Sequence, residues 1–149
     1  MTWVEDGIFA AGGDHIPHTW QEFAQQTGIR AVVHLAQAKP ARFEGTLERF
    51  LWLKVEREAD ANIPTRELAA EFVHSCRASG LAVLLHCASG RHRTRWIYVA
   101  YRLRTGASLK GVLRAAAEKP WLGPYHTDSG LWEAFCVHIQ TQPKDPDPR

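Results

Sequence analysis

The chain has 149 residues, of which 45% are hydrophobic and 23% are charged, a balance typical of one globular domain of ordinary size. The formal net charge of +2 excludes a protein that coats a polyanion through bulk electrostatics, and no basic patch with interleaved aromatic residues predicts nucleic-acid binding. No apolar run is long enough to span a membrane. Three Cys residues without a secretory signal favour a reducing cytoplasm and fit neither a disulfide framework nor a zinc pattern.

Four apolar runs predict β-strands, at residues 8–11, 29–35, 50–55 and 81–85. Helical patterns follow at residues 18–27, 65–79, 94–105 and 108–119, and a last helix starts at Asp128 or Ser129. This alternation predicts a single α/β domain over residues 1–141, with a mostly parallel central sheet of four to five strands flanked by helices. The proline-rich residues 142–149 are expected to form a loose tail.

The segment after the last predicted strand carries the chemistry. It reads His86-Cys87-Ala88-Ser89-Gly90-Arg91-His92-Arg93-Thr94 and leads directly into a helix. A short loop before a helix turns successive backbone N–H groups toward one point, where the helix dipole adds positive charge. Three small residues, Ala88, Ser89 and Gly90, let an anion approach the backbone, and the guanidinium of Arg93 suits two phosphate oxygens.

Cys87 is expected to act as a nucleophile in this setting. Comparable surroundings lower the pKa of a Cys thiol from about 8.5 to roughly 3.5–7.5. A thiolate beside a site for a tetrahedral oxyanion fits covalent phosphoryl transfer to sulfur. The other two cysteines, Cys76 and Cys136, lie on apolar helical faces and are predicted to pack in the core.

The run His86-Cys87-x5-Arg93-Thr94 resembles the phosphate-binding loop of cysteine-based protein tyrosine and dual-specificity phosphatases. The wider resemblance extends from about Gly7 to Phe135 and implies a dual-specificity-phosphatase-like fold. Asn62-Ile63-Pro64 and the run from Gly90 to Thr94 look most like a small atypical subgroup from plants and fungi. That subgroup is linked to phosphotyrosine substrates and to inositol pyrophosphates.

The resemblance implies a role for each residue of the motif. Cys87 attacks phosphorus, Arg93 clamps the oxygens, and Thr94 donates its hydroxyl to the sulfur as it leaves. His86 fixes the loop from behind and helps to set the thiolate. The backbone amides bind the phosphate, and Arg91 and His92 are either solvated loop residues or a rim that recruits anionic substrates. The predicted substrate-binding residues are Ala88, Ser89, Gly90, Arg91, His92 and Glu58. Water hydrolyses the phosphocysteine, so neither a metal nor another cofactor is expected.

The general acid is left open by the sequence. The position that aligns with the Asp of the family holds Arg57, and the nearby carboxylic acids are Glu56, Glu58 and Asp60. We favour Asp60, then Glu58, with Asp128 as a more distant candidate. Arg95 stands where the subgroup has Gly, and it either widens the positive field or points to solvent. His34, after an apolar strand, is interpreted as a partly buried structural His.

Three functions compete. The first is a monomeric, cytoplasmic, metal-independent phosphatase that acts on phosphotyrosine, with phosphoserine and phosphothreonine as further candidate substrates. The second is an inositol phosphate or pyrophosphate phosphatase, which the basic run Arg91-His92-Arg93 favours. The third is a non-catalytic module that binds phosphorylated partners, which Arg57 at the acid position favours. In each case the partner is a phosphorylated protein or a small anionic phosphate.

Overall fold

The elements of the fold alternate between strands and helices along most of the chain. The computed structural model describes residues 2–12, 20–37, 47–55, 58–87, 94–118 and 129–141. Within these ranges the strands are β1 (Thr2–Glu5), β2 (Ile8–Gly12), β3 (Ala31–Leu35), β4 (Arg49–Leu53) and β5 (Val83–Cys87). The α-helices are α1 (Trp20–Thr27), α2 (Ile63–Ala78), α3 (Arg95–Arg104), α4 (Leu109–Ala117) and α5 (Ser129–Thr141). A single 3₁₀ turn at Glu58–Asp60 precedes α2.

The strands form one sheet in the order β1-β2-β5-β3-β4. β1 pairs antiparallel with β2, and the other pairs are parallel. The last residues of the four parallel strands face one another in register: Gly12 and Leu35 flank Cys87, and Leu53 lies beside Leu35. We call this row the carboxyl edge of the sheet. It is the edge at which α/β sheets of this kind bind ligands.

Local sequence signals explain where the helices begin and end. The Asn62 side chain accepts a hydrogen bond of 2.9 Å from Thr65 N at the start of α2, and Ser108 accepts one of 3.1 Å from Gly111 N at the start of α4. After α2, Gly80 takes a φ of 77°, a left-handed conformation that glycine adopts without strain. These signals fix the register of α2, the helix that follows the Glu58–Asp60 turn.

The core lies on both faces of the sheet, because side chains alternate along a strand. The larger cluster joins Val83 and Leu85 of β5 to apolar residues of α2, α3, α4 and α5. The smaller cluster joins Leu84 of β5 to Phe23 of α1. Since β5 is buried at all five positions, its apolar run is explained by cover on both faces.

The predicted α/β class with a mostly parallel, helix-flanked sheet is confirmed. Most element bounds differ from the sequence interpretation by one or two residues: for example, β3 begins at Ala31 rather than at residue 29, and β4 ends at Leu53 rather than at residue 55. β5 begins at Val83 rather than Leu81 and includes Cys87, and β1 was not predicted at all. None of the helices in the described ranges is long and apolar enough to cross a membrane. The proposed tail, residues 142–149, lies outside the described residues.

Candidate active site

Cys87 lies at the centre of the carboxyl edge. It is the last residue of β5, and its backbone pairs with Leu35 on one side and Gly12 on the other. Its side chain is 2% exposed and forms no disulfide. Two neighbouring strands therefore hold the Cys87 backbone at the point where the sheet ends.

Thr94 closes the segment that begins after Cys87. It is the N-cap residue of α3, with φ −102° and ψ 0°, and its side chain makes no capping hydrogen bond. Thr94 is fully buried, and within the described ranges its hydroxyl oxygen has no hydrogen-bond partner. Residues 88–93 connect these two anchors; the predicted phosphate-binding residues Ala88, Ser89, Gly90, Arg91, His92 and Arg93 lie outside the described residues.

Arg95 follows as the first residue of α3. It is buried, with 5% of its surface exposed. The solvent-facing alternative for this side chain is therefore wrong. A buried guanidinium at the start of α3 adds a positive charge to the end of the helix that already carries the positive pole of its dipole.

His86 forms a hydrogen bond that the sequence interpretation did not foresee. His34 of β3 and His86 of β5 are register partners, and their Nδ1 atoms lie 2.8 Å apart in the protein interior. Their rings stack at 12°, with centroids 4.9 Å apart. Burial lowers the pKa of His34, which favours its neutral form. Since one Nδ1 must donate and the other accept, the pair holds one proton between these two atoms.

The Glu58–Asp60 turn carries both favoured candidates for the general acid. Asp60 is exposed, and Glu58 is half-buried. Glu58 Oε1 lies 3.6 Å from a guanidinium nitrogen of Arg66, a residue of α2 that is 1% exposed. The other candidates, Glu56 and Asp128, and Arg57 at the aligned position, lie outside the described residues. Glu58 is thus ion-paired with Arg66 and half-buried, and Asp60 is exposed at the protein surface.

Arg66 is a site-associated residue that the sequence interpretation missed. His34 is buried and hydrogen-bonded to His86, which confirms its predicted structural role, although its contact with the motif was not foreseen. Strand register offered a signal for His34, because two His residues on neighbouring parallel strands can meet when they are level. Arg66 gave no signal, since an Arg in a helical pattern normally indicates a solvated face. Cys76 is fully buried as predicted, and burial raises the pKa of its thiol. Cys136 is partly buried against the same core.

Among the described residues, no group of three or more His, Cys, Asp or Glu side chains could hold a metal ion. The absence of a cofactor remains a prediction of the sequence.

The five-stranded, mostly parallel sheet flanked by helices is the architecture of dual-specificity phosphatases. The chain belongs to the family described as "Polymorphic toxin system, DSP-PTPase phosphatase", whose model matches residues 10–107. No curated protein sequence matches the chain. Membership of this family and the fold support protein phosphatase activity.

Solved structures share the fold at low sequence identity. Human DUSP28 has a TM-score of 0.71 and 18% identity, with 96% of this chain and 100% of that chain covered. DUSP15 has a TM-score of 0.66 and 22% identity, with coverage of 95% and 88%. The human tyrosine phosphatase-like serine/threonine/tyrosine-interacting protein has a TM-score of 0.67 and 20% identity, with coverage of 94% and 93%. The nearer likeness to the plant-and-fungal subgroup stays a prediction.

Proposed function

We propose that this protein is a metal-independent phosphatase that hydrolyses phosphotyrosine, and secondarily phosphoserine and phosphothreonine, through a phosphocysteine intermediate. The observation that carries the proposal is the pair of buried anchors around residues 88–93. Cys87 ends the central strand, and Thr94 is the N-cap residue of α3, with a buried hydroxyl that has no partner in the described part of the chain. Buried polar groups are normally paired, so the Thr94 hydroxyl is available for a donor role at the reacting sulfur.

The first chemical step forms a sulfur–phosphorus bond. The Cys87 thiolate attacks phosphorus, and the bond from phosphorus to the tyrosyl oxygen breaks. Arg93 and the backbone amides of residues 88–93 stabilise the three non-bridging oxygens of the phosphoryl group as it is transferred. The leaving oxygen takes a proton from a carboxylic acid, for which Asp60 is the candidate, with Glu58 as the second choice.

The second step returns the enzyme to its initial state. Water attacks phosphorus, its proton passes to the same carboxylate, and the sulfur–phosphorus bond breaks. The Thr94 hydroxyl donates a hydrogen bond to the departing sulfur, and His86, held by His34, supports the segment from behind. The products are the free hydroxyl and inorganic phosphate, and the sulfur remains a thiolate.

Release of phosphate from a phosphotyrosine peptide tests the proposal. The wild-type protein, assayed with a chelator present, is expected to turn over, and Cys87→Ser is expected to release no phosphate above background. Cys136→Ser is the matched control, because it makes the same change on α5 and is expected to keep wild-type activity. Rapid acid quenching followed by mass spectrometry should detect phosphate on the peptide that contains Cys87. Unchanged activity in Cys87→Ser would disprove the mechanism.

A second candidate is hydrolysis of inositol phosphates or pyrophosphates. The sequence run Arg91-His92-Arg93 favours it, because clustered cations suit a highly charged substrate. A leaving group that is itself a phosphate also needs little help from a general acid. The two candidates separate when turnover of a phosphotyrosine peptide and of an inositol pyrophosphate is compared at equal enzyme concentration. A strong preference for the peptide removes the second candidate.

The family description supplies a biological setting. We infer that the phosphatase acts as the toxic activity of a polymorphic toxin system, in which it removes phosphate from proteins of a target cell. Expression of the chain inside a test cell is then expected to slow growth, and the Cys87→Ser variant is expected to be harmless at equal abundance. Equal growth inhibition by both forms would show that the toxicity does not depend on phosphatase activity, and would contradict this inference.

A further inference from the structure

Arg66 is a buried cation that holds the Glu58–Asp60 turn by both ends. Its Nε donates a 2.7 Å hydrogen bond to Ala61 O, and a terminal nitrogen donates a 2.9 Å bond to Glu58 O. Another terminal nitrogen lies 3.6 Å from the Glu58 carboxylate. The guanidinium thus replaces water as the partner of backbone carbonyls on either side of Asp60, and it fixes the path of the turn.

The same guanidinium lies against two buried indole rings. Its central carbon is 4.3 Å from the ring centroid of Trp132 in α5 and 5.8 Å from that of Trp96 in α3. Trp96 is the second residue after Thr94, at the start of the helix that follows residues 88–93. Arg66 therefore connects the turn that carries the candidate acids to the helix that follows the predicted phosphate-binding segment.

The turn follows β4 at the carboxyl edge. β4 is separated from β5 by one strand, β3, so their ends lie about 10 Å apart at the usual strand spacing. A turn that starts five residues after Leu53 can span this distance toward Cys87. Small shifts of the turn would move a carboxyl group out of contact with a leaving oxygen, because proton transfer needs a heavy-atom separation of about 3 Å.

We propose that Arg66 is a positioning residue for the general acid, and that the acid it positions is Asp60. Glu58 is the ion-pair partner of Arg66, so its carboxylate serves to hold the turn. Asp60 lies between the two held carbonyls and is solvent-exposed, where a substrate can reach it. This inference rests on the proposed phosphatase function and assigns the acid that the sequence left open.

A comparison of two substrates with different leaving groups tests whether Arg66 positions the general acid or only stabilises the fold. Phenolate leaves phenyl phosphate only with the help of a proton, whereas dinitrophenolate leaves 2,4-dinitrophenyl phosphate without one. Arg66→Met is expected to lower kcat/KM on phenyl phosphate about 10- to 100-fold, part of the usual contribution of a general acid, and to change kcat/KM on dinitrophenyl phosphate less than about threefold. The comparison uses kcat/KM because this constant reports formation of the phosphocysteine, the step before the same carboxylate acts as a base. Asp60→Asn should reproduce this selective loss, and the double variant should lose little more than either single one.

Arg49→Met is the matched control. Arg49 also donates hydrogen bonds at the carboxyl end of α2, to the hydroxyl oxygens of Ser75 and of Ser79, the residue after the helix, at 2.9 and 3.0 Å. It lies at the amino end of β4, away from the carboxyl edge. Arg49→Met is expected to leave the ratio of the rate on phenyl phosphate to the rate on dinitrophenyl phosphate at the wild-type value. Arg66→Lys, which keeps the charge but not the planar fork, should recover part of the rate on phenyl phosphate.

Glu58→Gln provides a second variant should Arg66→Met fail to fold, as judged by thermal unfolding. It weakens the ion pair with little change of shape, and it should give a smaller loss confined to phenyl phosphate. Equal loss on both substrates, or no loss on either, in the folded variants would overturn the inference. A selective loss that Asp60→Asn does not share would overturn the assignment of Asp60. A wild-type protein that hydrolyses neither ester would instead refute the proposed phosphatase function itself.

Discussion

Replacement of Thr94 by Val is expected to stabilise the protein and to damage its catalysis. The Thr94 side chain is fully buried, makes no capping bond to α3, and has a hydroxyl oxygen without a partner in the described ranges. A buried polar group that lacks a partner costs about 1–3 kcal/mol. Val has nearly the same shape and removes the hydroxyl, so the free energy of unfolding should rise by up to this amount.

Thermal unfolding makes this gain measurable. For a chain of this length, 1 kcal/mol corresponds to about 2–4 °C in Tm, so Thr94→Val should melt several degrees above the wild type when no phosphate is present. Thr105 at the other end of α3 is the matched control. Its hydroxyl donates a 2.7 Å hydrogen bond to Arg102 O and is exposed, so Thr105→Val should leave Tm unchanged or slightly lower.

Catalysis should change in the opposite direction. Without the hydroxyl, the sulfur leaves the phosphocysteine without a hydrogen bond worth about 1.5–3 kcal/mol, which corresponds to roughly 10- to 100-fold in rate. Stopped-flow assays with a chromogenic aryl phosphate should then show a burst of one equivalent of phenolate followed by slow turnover. A Thr94→Val protein that melts below the wild type, or that shows no burst and full steady-state activity, would refute the reasoning.

Three further changes have defined outcomes. Burial lowers the pKa of His34, so at mildly acidic pH the folded protein binds fewer protons than the unfolded chain. The free energy of unfolding therefore falls as the pH drops below about 6.5, by no more than about 1.4 kcal/mol per pH unit for this residue. His34→Asn should flatten this dependence when urea unfolding is compared between neutral and mildly acidic pH. Iodoacetamide near neutral pH should label Cys87 before Cys76 and Cys136, because burial raises the pKa of the latter two thiols. Mass spectrometry identifies the labelled peptide. Faster labelling of Cys76 or Cys136 would contradict the assignment of Cys87 as the nucleophile. Phe135→Ala removes a fully buried ring and should lower the free energy of unfolding by about 3–5 kcal/mol, as read from urea titration.

The sequence predicted the parts of the fold that depend on local signals. The α2 helix ends before Gly80 and α4 starts after Ser108, as turn and cap residues indicated. β1 was missed because it is a short edge strand of four residues, whose pairing with β2 comes from their hairpin rather than from an apolar run. β5 was placed two residues too early because its last two residues, His86 and Cys87, are buried in the strand although one of them is polar.

The candidate site was predictable only where its residues are adjacent in sequence. Cys87 and Thr94 belong to one motif, and the sequence placed one at a strand end and the other at a helix start. Arg66 comes to the site through contacts with α3, α5 and the Glu58–Asp60 turn, which no pattern within α2 encodes. His34 meets His86 only through strand register. Long-range contacts of this kind need the tertiary structure.

The buried polar side chains of the described residues are concentrated around this one region. Apart from them the buried core is apolar, and the set consists of His34, Arg66, His86, Thr94 and Arg95. Each removes a polar group from water, which lowers stability unless a partner restores the lost hydrogen bond. Partners are present for the two His residues and for Arg66, whereas the Thr94 hydroxyl has none within the described ranges. Such a distribution is expected where a fold gives up stability for chemistry, since apolar residues at these positions would pack at lower cost. The higher free energy of unfolding expected for Thr94→Val and its slower turnover would together show that the Thr94 hydroxyl lowers stability and serves catalysis.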